Sequence, residues 1–556
     1  MDEVGRITRA AGVVGFFTLL SRIFGLLRDI IVAYLFGARG TADAFFVAFR
    51  IPNLLRRLTA EGAFSAGFVP VFTDYLTNRT KEEALEVARV VFTFAALVLG
   101  ALTVLGILFA SPLTYLFAPG FYADGEKFNL AVFLTRLMFP YVFFVSLVAL
   151  AMGFLNSFRH FMAPALSPVL LNVSIIVCAL MLTPFLSEPV VSLGYGVLLG
   201  GIIQLALQFP FLSRYGLTFS PDFHFKHPAL KRLLLLMGPA VLGAAVYQVN
   251  VLVSTILASM LAEGSVSYLY YADRLLQFPL GIFAIALGTA ALPSFSSLAA
   301  RKDFGALQEG LSYSLRLVNF ITLPATLGLM VLSAPVFALL FQRGAFDART
   351  TMLTAQALVF FSFGLWGISG TRLVVPAFYA LEDTKTPVKV ALFSFTLNFL
   401  LSLILMGPVT GGQNAGGFAR GIAAISQTLG MFSLSHGGLA LANSISSTCH
   451  FLVLLLILHG RLGQFAWRAY SISFLRNLFN ALLMALPLIL VVRRIDWVGL
   501  EGSLLTRIAL FFLIMAGGLF LYVALSYLFR SPERHVIVQA VSAIRRRATN
   551  QNLPSS

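Results

Sequence analysis

Charged side chains occur inside the first two membrane-length apolar stretches of this sequence, where a charge is costly. They include Arg22, Arg28, Asp29, Asp43, Arg50, Arg56 and Arg57. Burying one charge in lipid costs about 2.5–3.5 kcal/mol even on the most lenient scale, so several together predict a water-filled cavity. Arginines outnumber aspartates, and the planar guanidinium binds phosphate oxygens through paired hydrogen bonds without losing its charge. The cavity is therefore expected to receive an anion, and a diphosphate fits best.

The spacing of the polar residues places them on shared helix faces, since residues three, four and seven apart line up along an α-helix. The first stretch carries one such stripe, formed by Thr18, Ser21, Arg22, Gly25, Arg28 and Asp29. The second stretch spaces three charges by seven residues and has Asn53 near the same face: Asp43, Arg50 and Arg57. The eighth stretch has Ser267 and Arg274 at the same spacing, followed by Gln277. A second interpretation stays open for Asp29 and Asp273, namely that each only pairs with its neighbouring arginine to hold helices together.

The composition identifies the class of protein. Hydrophobic residues make up 58% and charged residues 11%, and the mean hydropathy is +0.89, whereas soluble domains have about 25% charged residues. Apolar stretches of about 20 residues, the length that crosses a bilayer, recur along the chain. We count fourteen: 13–36, 41–76, 88–117, 128–157, 163–184, 189–213, 230–260, 265–298, 313–341, 351–380, 387–407, 437–459, 470–492 and 504–529. Continuous apolar runs predict helices and not barrel strands, so the fold class is an all-α polytopic membrane protein.

Several functions have no support in the sequence. Cys178 and Cys449 both lie in apolar stretches and form no CxxC pair, and no phosphate-binding glycine loop ending in Gly-Lys occurs. Clustered Asp or His residues that would serve a membrane enzyme, such as a polyprenyl-phosphate transferase, are also lacking. We therefore predict no catalytic residue, no metal-binding residue and no cofactor, and energy from a gradient, the membrane potential or a partner. The first stretch is interpreted as a retained helix and not as a cleaved signal peptide.

The positive charges predict the orientation. One alternating set of loops is rich in Lys and Arg, including Arg79 with Lys81, Lys226 with Lys231, and the tail Arg545–Arg547. The rich set should face the cytoplasm, which puts both termini inside. The net charge of +16 is spread over many short loops, so a nucleic-acid partner is not expected. The basic tail is predicted to lie on anionic lipid.

The chain also repeats itself at an offset of 223–224 residues. Gly40–Arg50 resembles Gly264–Arg274, and Asn156–Pro164 resembles Tyr379–Pro387. Six spans separate the copies, so both copies run the same way through the membrane. Parallel repeats predict two lobes with the substrate site between them, near the membrane midplane. Arg50 and Arg274 are then expected at pseudo-symmetric places bordering the cavity. Gly-rich faces such as Gly196–Gly200 are expected to allow close helix packing.

At the residues that carry this pattern the sequence resembles the MurJ (MviN) family, bacterial lipid II flippases within the multidrug/oligosaccharidyl-lipid/polysaccharide exporter superfamily. The resemblance lies in Ser21–Asp29, Phe36–Ala38, Thr41–Arg57, Ala60–Ser65 and Tyr270–Gly281. It implies helices 1–6 in an N-terminal lobe, 1–215, and helices 7–12 in a C-terminal lobe, 216–460. It further implies a helix pair at 461–530 with a groove for the polyprenyl tail, followed by a basic cytoplasmic tail, 531–556. By the same resemblance, the residues required for transport are Arg22, Arg28, Asp29, Asp43, Asn53, Arg57, Ser267 and Arg274. Arg50 is added to this set because it shares a helix face with Asp43 and Arg57.

The implied function is flipping of lipid II from the inner to the outer leaflet of the bacterial cytoplasmic membrane by alternating access. The arginines would engage the diphosphate, and membrane lipids and cell-wall synthesis proteins are candidate partners. The alternative is a multidrug or cation exporter, or an exporter of another lipid-linked oligosaccharide, from the same superfamily. A cation exporter would need buried carboxylates, and the excess of arginine argues against it.

The sequence departs from the family pattern in three places. Gln277 replaces a glutamate found in some members, so it cannot act as an acid. The spans that hold a sodium site in parts of the family offer only Gln248, Asn250 and Asn398 here, which leaves coupling to H⁺, Na⁺ or the membrane potential open. Residues 409–432 form a Gly-rich polar insertion, predicted to be an unstructured outer loop whose deletion leaves folding and transport nearly unchanged; a partner-binding loop is the alternative.

Overall fold

A computed structural model describes residues 3–58, 65–218, 220–409, 416–463, 466–499 and 503–535, and these form helices and turns without a β-strand among them. The helices of the first half of the chain are α1 Glu3–Phe36, α2 Gly40–Arg56, α3 Ser65–Asn78, α4 Lys81–Leu108, α5 Ala110–Phe117, α6 Gly125–Met138, α7 Tyr141–Ser157, α8 Met162–Leu182, α9 Val191–Arg214 and α10 Pro228–Ser259. Short 3-10 turns follow α5 at Pro119–Ala123 and α8 at Thr183–Phe185.

The second half of the chain is also helical. Its helices are α11 Ser265–Pro279, α12 Ile285–Ala300, α13 Phe304–Val331, α14 Ser333–Leu340, α15 Ala348–Ser362, α16 Leu365–Ala380, α17 Lys385–Met406, α18 Gly417–Leu429, α19 Ser435–Leu462, α20 Trp467–Arg493 and α21 Leu504–Leu528. A π-helical turn at Leu280–Ala284 joins α11 to α12.

The prediction of an all-α polytopic membrane protein is confirmed. Among the described residues, nine helices are long and apolar enough to cross a membrane, or up to ten if the pair α15 and α16, bent by 42°, forms one span. The count of fourteen spans is therefore not confirmed. Six predicted spans are each divided between two helices. They are 41–76 (α2 and α3), 88–117 (α4 and α5), 128–157 (α6 and α7), 265–298 (α11 and α12), 313–341 (α13 and α14) and 351–380 (α15 and α16).

The chain forms two compact units, of which the first comprises Met1–Ser267, Arg343–Asp347 and Pro408–Leu429. Its largest apolar cluster packs aromatic rings of α3 against α7, with the rings of Phe72 and Phe154 5.0 Å apart. Helices α8 and α9 approach closely at Gly196, where an added Cβ would lie 2.6 Å from the Cα of Ile175. The predicted close packing at this glycine is confirmed, because no side chain would fit between the two backbones.

The second unit comprises Tyr268–Gln342, Ala348–Gly407 and Gly430–Ser556. Its main cluster joins α12, α16 and α19 around Phe295, Phe378 and Phe451. The last two helices, α20 and α21, pack on α13, and the hydroxyl of Tyr522 donates to the carbonyl of Phe320 at 2.8 Å. The predicted lobe boundary at 215/216 and the tail groove at 461–530 stay predictions.

The prediction of an unstructured insertion at 409–432 is wrong for the part that the structure describes. Residues Gly417–Leu429 form α18, which buries Ala419, Ile422, Ala423 and Ser426. This helix packs on the turn Pro119–Ala123 and belongs to the first unit. The sequence interpretation weighed only the glycines and the short run 422–425, and missed the helical spacing of the small apolar residues. Residues 410–415 of the insertion lie outside the described residues.

Other predictions also fall outside the described residues. The basic tail from residue 536 onward, with Arg545–Arg547, is one of them, and most of the motif Ala60–Ser65 is another.

Candidate functional site

Arg28 and Asp29 form a buried ion pair on α1. Arg28 is 6% exposed and Asp29 3%. The Nη2 and Nε atoms of Arg28 donate to Asp29 Oδ1 at 2.6 and 3.0 Å. The pairing interpretation of these two residues is therefore right as a description of their contact.

Asn172 of α8 is the third member of this group, and it was missed by sequence reasoning. Its Oδ1 accepts from Arg28 Nη1 at 3.0 Å, and its Nδ2 donates to the carbonyl of Ser21 at 3.2 Å. The Arg28 guanidinium is thereby fixed from two helices. A lone amide inside the apolar run of α8 was the available signal, because a buried amide needs partners.

Arg22 differs from Arg28 although both lie on α1. Its side chain is exposed, and no described residue forms an ion pair or hydrogen bond with it. Its charge is therefore not neutralised by any side chain in the described part of the chain. An exposed guanidinium on an apolar helix is suited to binding an anion, because no ion pair with a carboxylate has to be broken first.

Asp43 of α2 accepts four hydrogen bonds. Its exposure is 1%. Asp43 Oδ1 accepts from the backbone N–H and hydroxyl of Ser267 at 3.0 and 2.6 Å. Asp43 Oδ2 accepts from the backbone N–H of Gly264 at 2.8 Å and from Lys127 Nζ at 3.1 Å. The carboxylate thus lies at the N-terminus of α11, where unpaired N–H groups and the helix dipole stabilise a negative charge.

The start of α2 has the reciprocal contact. The backbone N–H of Gly40 donates to the carboxylate of Glu263, while the backbone N–H of Gly264 donates to Asp43. The N-termini of α2 and α11 therefore each donate a backbone N–H to a carboxylate, Glu263 and Asp43 respectively. Gly40 suits this approach, since an added Cβ would lie 3.2 Å from Glu263. Lys127 and Glu263 were not among the sequence candidates.

Two other arginines of α2 donate to neutral side chains. Arg50 Nη1 donates to the hydroxyl of Thr255 at 2.6 Å, and Arg56 Nε donates to Asn53 Oδ1 at 2.8 Å. Arg57 is half-buried, and its side chain forms no ion pair or hydrogen bond with the described residues. The Thr255 hydroxyl that accepts from Arg50 carries no charge.

Arg274 lies in the second unit, on α11. Its Nη2 donates to the hydroxyl of Tyr270 at 3.2 Å, and its guanidinium lies 5.3 Å from the centre of the Tyr270 ring. The neighbouring Asp273 accepts from the side chain of Gln277. The structure thus brings together Arg28 with Asp29 and Asp43 with Ser267. The pseudo-symmetric placement of Arg50 and Arg274 stays a prediction.

Comparison with known proteins identifies a family that this chain matches. The family model of lipid II flippase MurJ matches residues 32–510. A lipid II flippase MurJ of Burkholderia cenocepacia is 37% identical over 524 residues, which cover 93% of this chain and 96% of that protein. A probable lipid II flippase MurJ of Vibrio cholerae is 40% identical over 414 residues, covering 72% and 77%. Arg22, Arg28 and Asp29 precede the segment matched by the family model.

Solved structures agree with these relatives. The structure titled lipid II flippase MurJ in an inward closed conformation has a TM-score of 0.74 and 26% identity, and covers 94% of this chain and 99% of its own. An inward-facing MATE multidrug transporter of the MOP superfamily has a TM-score of 0.63 at 16% identity, covering 80% and 94%. The second likeness shows a shared fold alone.

Proposed function

This chain belongs to the lipid II flippase MurJ family, and from that membership we propose that it moves lipid II from the inner to the outer leaflet by alternating access. Lipid II is the undecaprenyl-diphosphate-linked precursor of peptidoglycan. The observation that carries the proposal is the similarity to a curated flippase over 93% of the chain. The arginines in the first helices of this multi-pass membrane protein also support the proposal. A diphosphate head group needs fixed positive charge along its path.

The arginines have different roles in this proposal. Arg22 and Arg57 have no acidic partner among the described residues, so they engage the diphosphate first. Arg28 is held by Asp29 and Asn172, and it contributes a guanidinium of fixed orientation. A preoriented guanidinium loses less freedom on binding than a mobile one, and so contributes more of its interaction energy to recognition.

The driving force in this proposal requires no bound cofactor. Moving one charge across the membrane potential changes its free energy by about 2.3 kcal/mol per 100 mV. A membrane that is negative inside therefore favours outward movement of the anionic head group. Coupling to an H⁺ or Na⁺ gradient is the alternative source of energy.

The cellular setting follows from the same proposal. We place the chain in the bacterial cytoplasmic membrane with both termini in the cytoplasm, because the Lys-rich and Arg-rich loops alternate with poorer ones. It acts as a secondary-type lipid transporter and not as an enzyme. Lipid II is the transported partner, and cell-wall synthesis proteins are candidate neighbours in the membrane.

The test is depletion of the protein in cells, followed by measurement of the leaflet in which lipid II accumulates. We expect accumulation in the inner leaflet, restored to normal by the wild-type chain and not by Arg22→Ala. The matched control is Arg301→Ala, which removes an exposed arginine from the turn between α12 and α13. Unchanged distribution of lipid II after depletion would contradict the proposal and favour another exported substrate.

A further inference from the structure

Lys226, His227 and Lys231 line a cavity whose other lining residues are apolar. The cavity has a volume of about 520 Å³ and lies between α4, the start of α10 and the loop that precedes α10. Phe94, Leu234 and Leu235 form its apolar wall. We call it the α4–α10 cavity. All of its residues belong to the first unit.

The loop that closes this cavity is docked on α4. The backbone N–H of Asp222 donates to the hydroxyl of Thr93 at 2.9 Å. The rings of Phe94 and Phe225 lie 5.7 Å apart in an edge-to-face arrangement. The cavity is therefore bounded by contacts between separate segments, and it is not a shallow depression on one helix.

The cavity lies where both helices change from charged to apolar. In α4 the last charged residue is Arg89, and Val90–Phe117 contains none. In α10 the last is Arg232, and Leu233–Ser259 contains none. Because a spanning helix changes in this way at the edge of the hydrocarbon region, the cavity lies at the water–lipid boundary. The wall residues Leu234 and Leu235 are 43% and 68% exposed, which suits contact with lipid.

The edge of the cavity carries an unbalanced positive charge. Asp222 is engaged by His224, whose Nδ1 lies 2.7 Å from its Oδ1. The backbone N–H of His224 holds the pKa of Asp222 below its usual range. Asp74 pairs with Arg232 at 2.6 Å. In the described part of the chain, no carboxylate contacts Lys226 or Lys231.

We propose that the α4–α10 cavity binds an anionic phospholipid of the bilayer, with its phosphate at Lys226 and Lys231 and an acyl chain along Phe94, Leu234 and Leu235. An amphipathic ligand is required because one side of the cavity is cationic and the other is apolar. The positive-inside count predicts that this lipid comes from the cytoplasmic leaflet. The inference concerns a bound lipid separate from the transported one, and it holds whether or not lipid II is the transported substrate.

The strength of the preference follows from the two lysines. Each Lys near a membrane surface contributes about 1 kcal/mol toward anionic lipid. Two lysines therefore predict a roughly 30-fold preference for phosphatidylglycerol over phosphatidylcholine, at 1.4 kcal/mol for each factor of ten. The apolar wall should contribute equally to both lipids.

The test is native mass spectrometry of the full-length protein titrated with phosphatidylglycerol or phosphatidylcholine in detergent. The variant K226Q/K231Q should lose most of the preference. The matched control K385Q/K389Q removes two exposed lysines at the start of α17 and should keep it. Both variants change only exposed side chains, so loss of folding is not expected.

Three results would overturn the proposal. One is an unchanged preference in K226Q/K231Q, and another is an equal loss in K385Q/K389Q, which would indicate a general effect of net charge. The third is displacement of the lipid by glycerol phosphate at the same concentration, since that would indicate a site for a free phosphate. Retention of phosphatidylglycerol against glycerol phosphate, together with its loss in K226Q/K231Q alone, supports the proposal.

Discussion

The contact between Asp43 and the N-terminus of α11 provides the most detailed prediction. We consider Asp43→Asn, which preserves the shape of the side chain and replaces one acceptor oxygen by an amide NH₂. Each carboxylate oxygen of Asp43 now accepts from two donors, Ser267 N–H and hydroxyl on one side, Gly264 N–H and Lys127 Nζ on the other. Whichever way the new amide turns, its NH₂ faces two donors.

The expected loss can be estimated from these contacts. A hydrogen bond to a charged group contributes about 1.5–3 kcal/mol. Two lost bonds therefore predict about 3–6 kcal/mol of local destabilisation, in the range found when one partner of a buried ion pair is removed. Lys127, whose side chain is 13% exposed, would also be left without its anion.

Hydrogen exchange measured by mass spectrometry is the direct assay, because Gly264 and Ser267 use their backbone N–H groups in this contact. Asp43→Asn should speed exchange across residues 264–267 by at least a hundredfold, since each 1.4 kcal/mol is a factor of ten. The control is Asp74→Asn, which breaks an exposed pair with Arg232 and should leave exchange at residues 264–267 unchanged, because exposed ion pairs contribute little to stability. If folded Asp43→Asn protein exchanges residues 264–267 at the wild-type rate, the reasoning is refuted.

Three further predictions concern other contacts. Asn172→Ala removes the acceptor for Arg28 Nη1 and should lower transport at least tenfold, whereas Ser174→Ala on the same helix should not. Gly196→Ala forces α8 and α9 apart and should lower the unfolding temperature, whereas Gly100→Ala, with open space around it, should be neutral or stabilising. The hydroxyl and backbone N–H of Thr386, with Arg461, hold the pKa of Asp383 below its usual value. Asp383→Asn should therefore destabilise by about 1 kcal/mol or less at pH 7, and the difference in unfolding temperature should shrink as the pH falls below about 4.

Hydropathy and helical spacing predicted the architecture well, because a membrane helix must be apolar over its length and must satisfy its own backbone groups. Helix ends that lie inside a predicted span were harder to predict. The hydropathy count did not predict the division of 41–76 into α2 and α3 or of 265–298 into α11 and α12. The helix α18 was missed because its small residues have low hydropathy, although they repeat at helical spacing.

The candidate site was predictable in its residue types and not in its partners. Spacing indicated that Arg28 and Asp43 belong to polar faces. It could not reveal that Asn172 binds Arg28, or that Lys127 binds Asp43, since these partners are 144 and 84 residues distant in the chain. Contacts of that range depend on how helices pack, and a single sequence carries no record of helix pairs.

The most direct test of the central claim is lipid II flipping by the purified protein in liposomes, measured as protection of labelled lipid II from a membrane-impermeant reagent. The wild-type chain should move lipid II, and Arg28→Lys and Arg274→Lys should each be slower by tenfold or more. A guanidinium binds a diphosphate through two hydrogen bonds and an ammonium group does not. Absence of movement by the wild-type chain, or full rates in both lysine variants, would contradict recognition of the diphosphate by arginine.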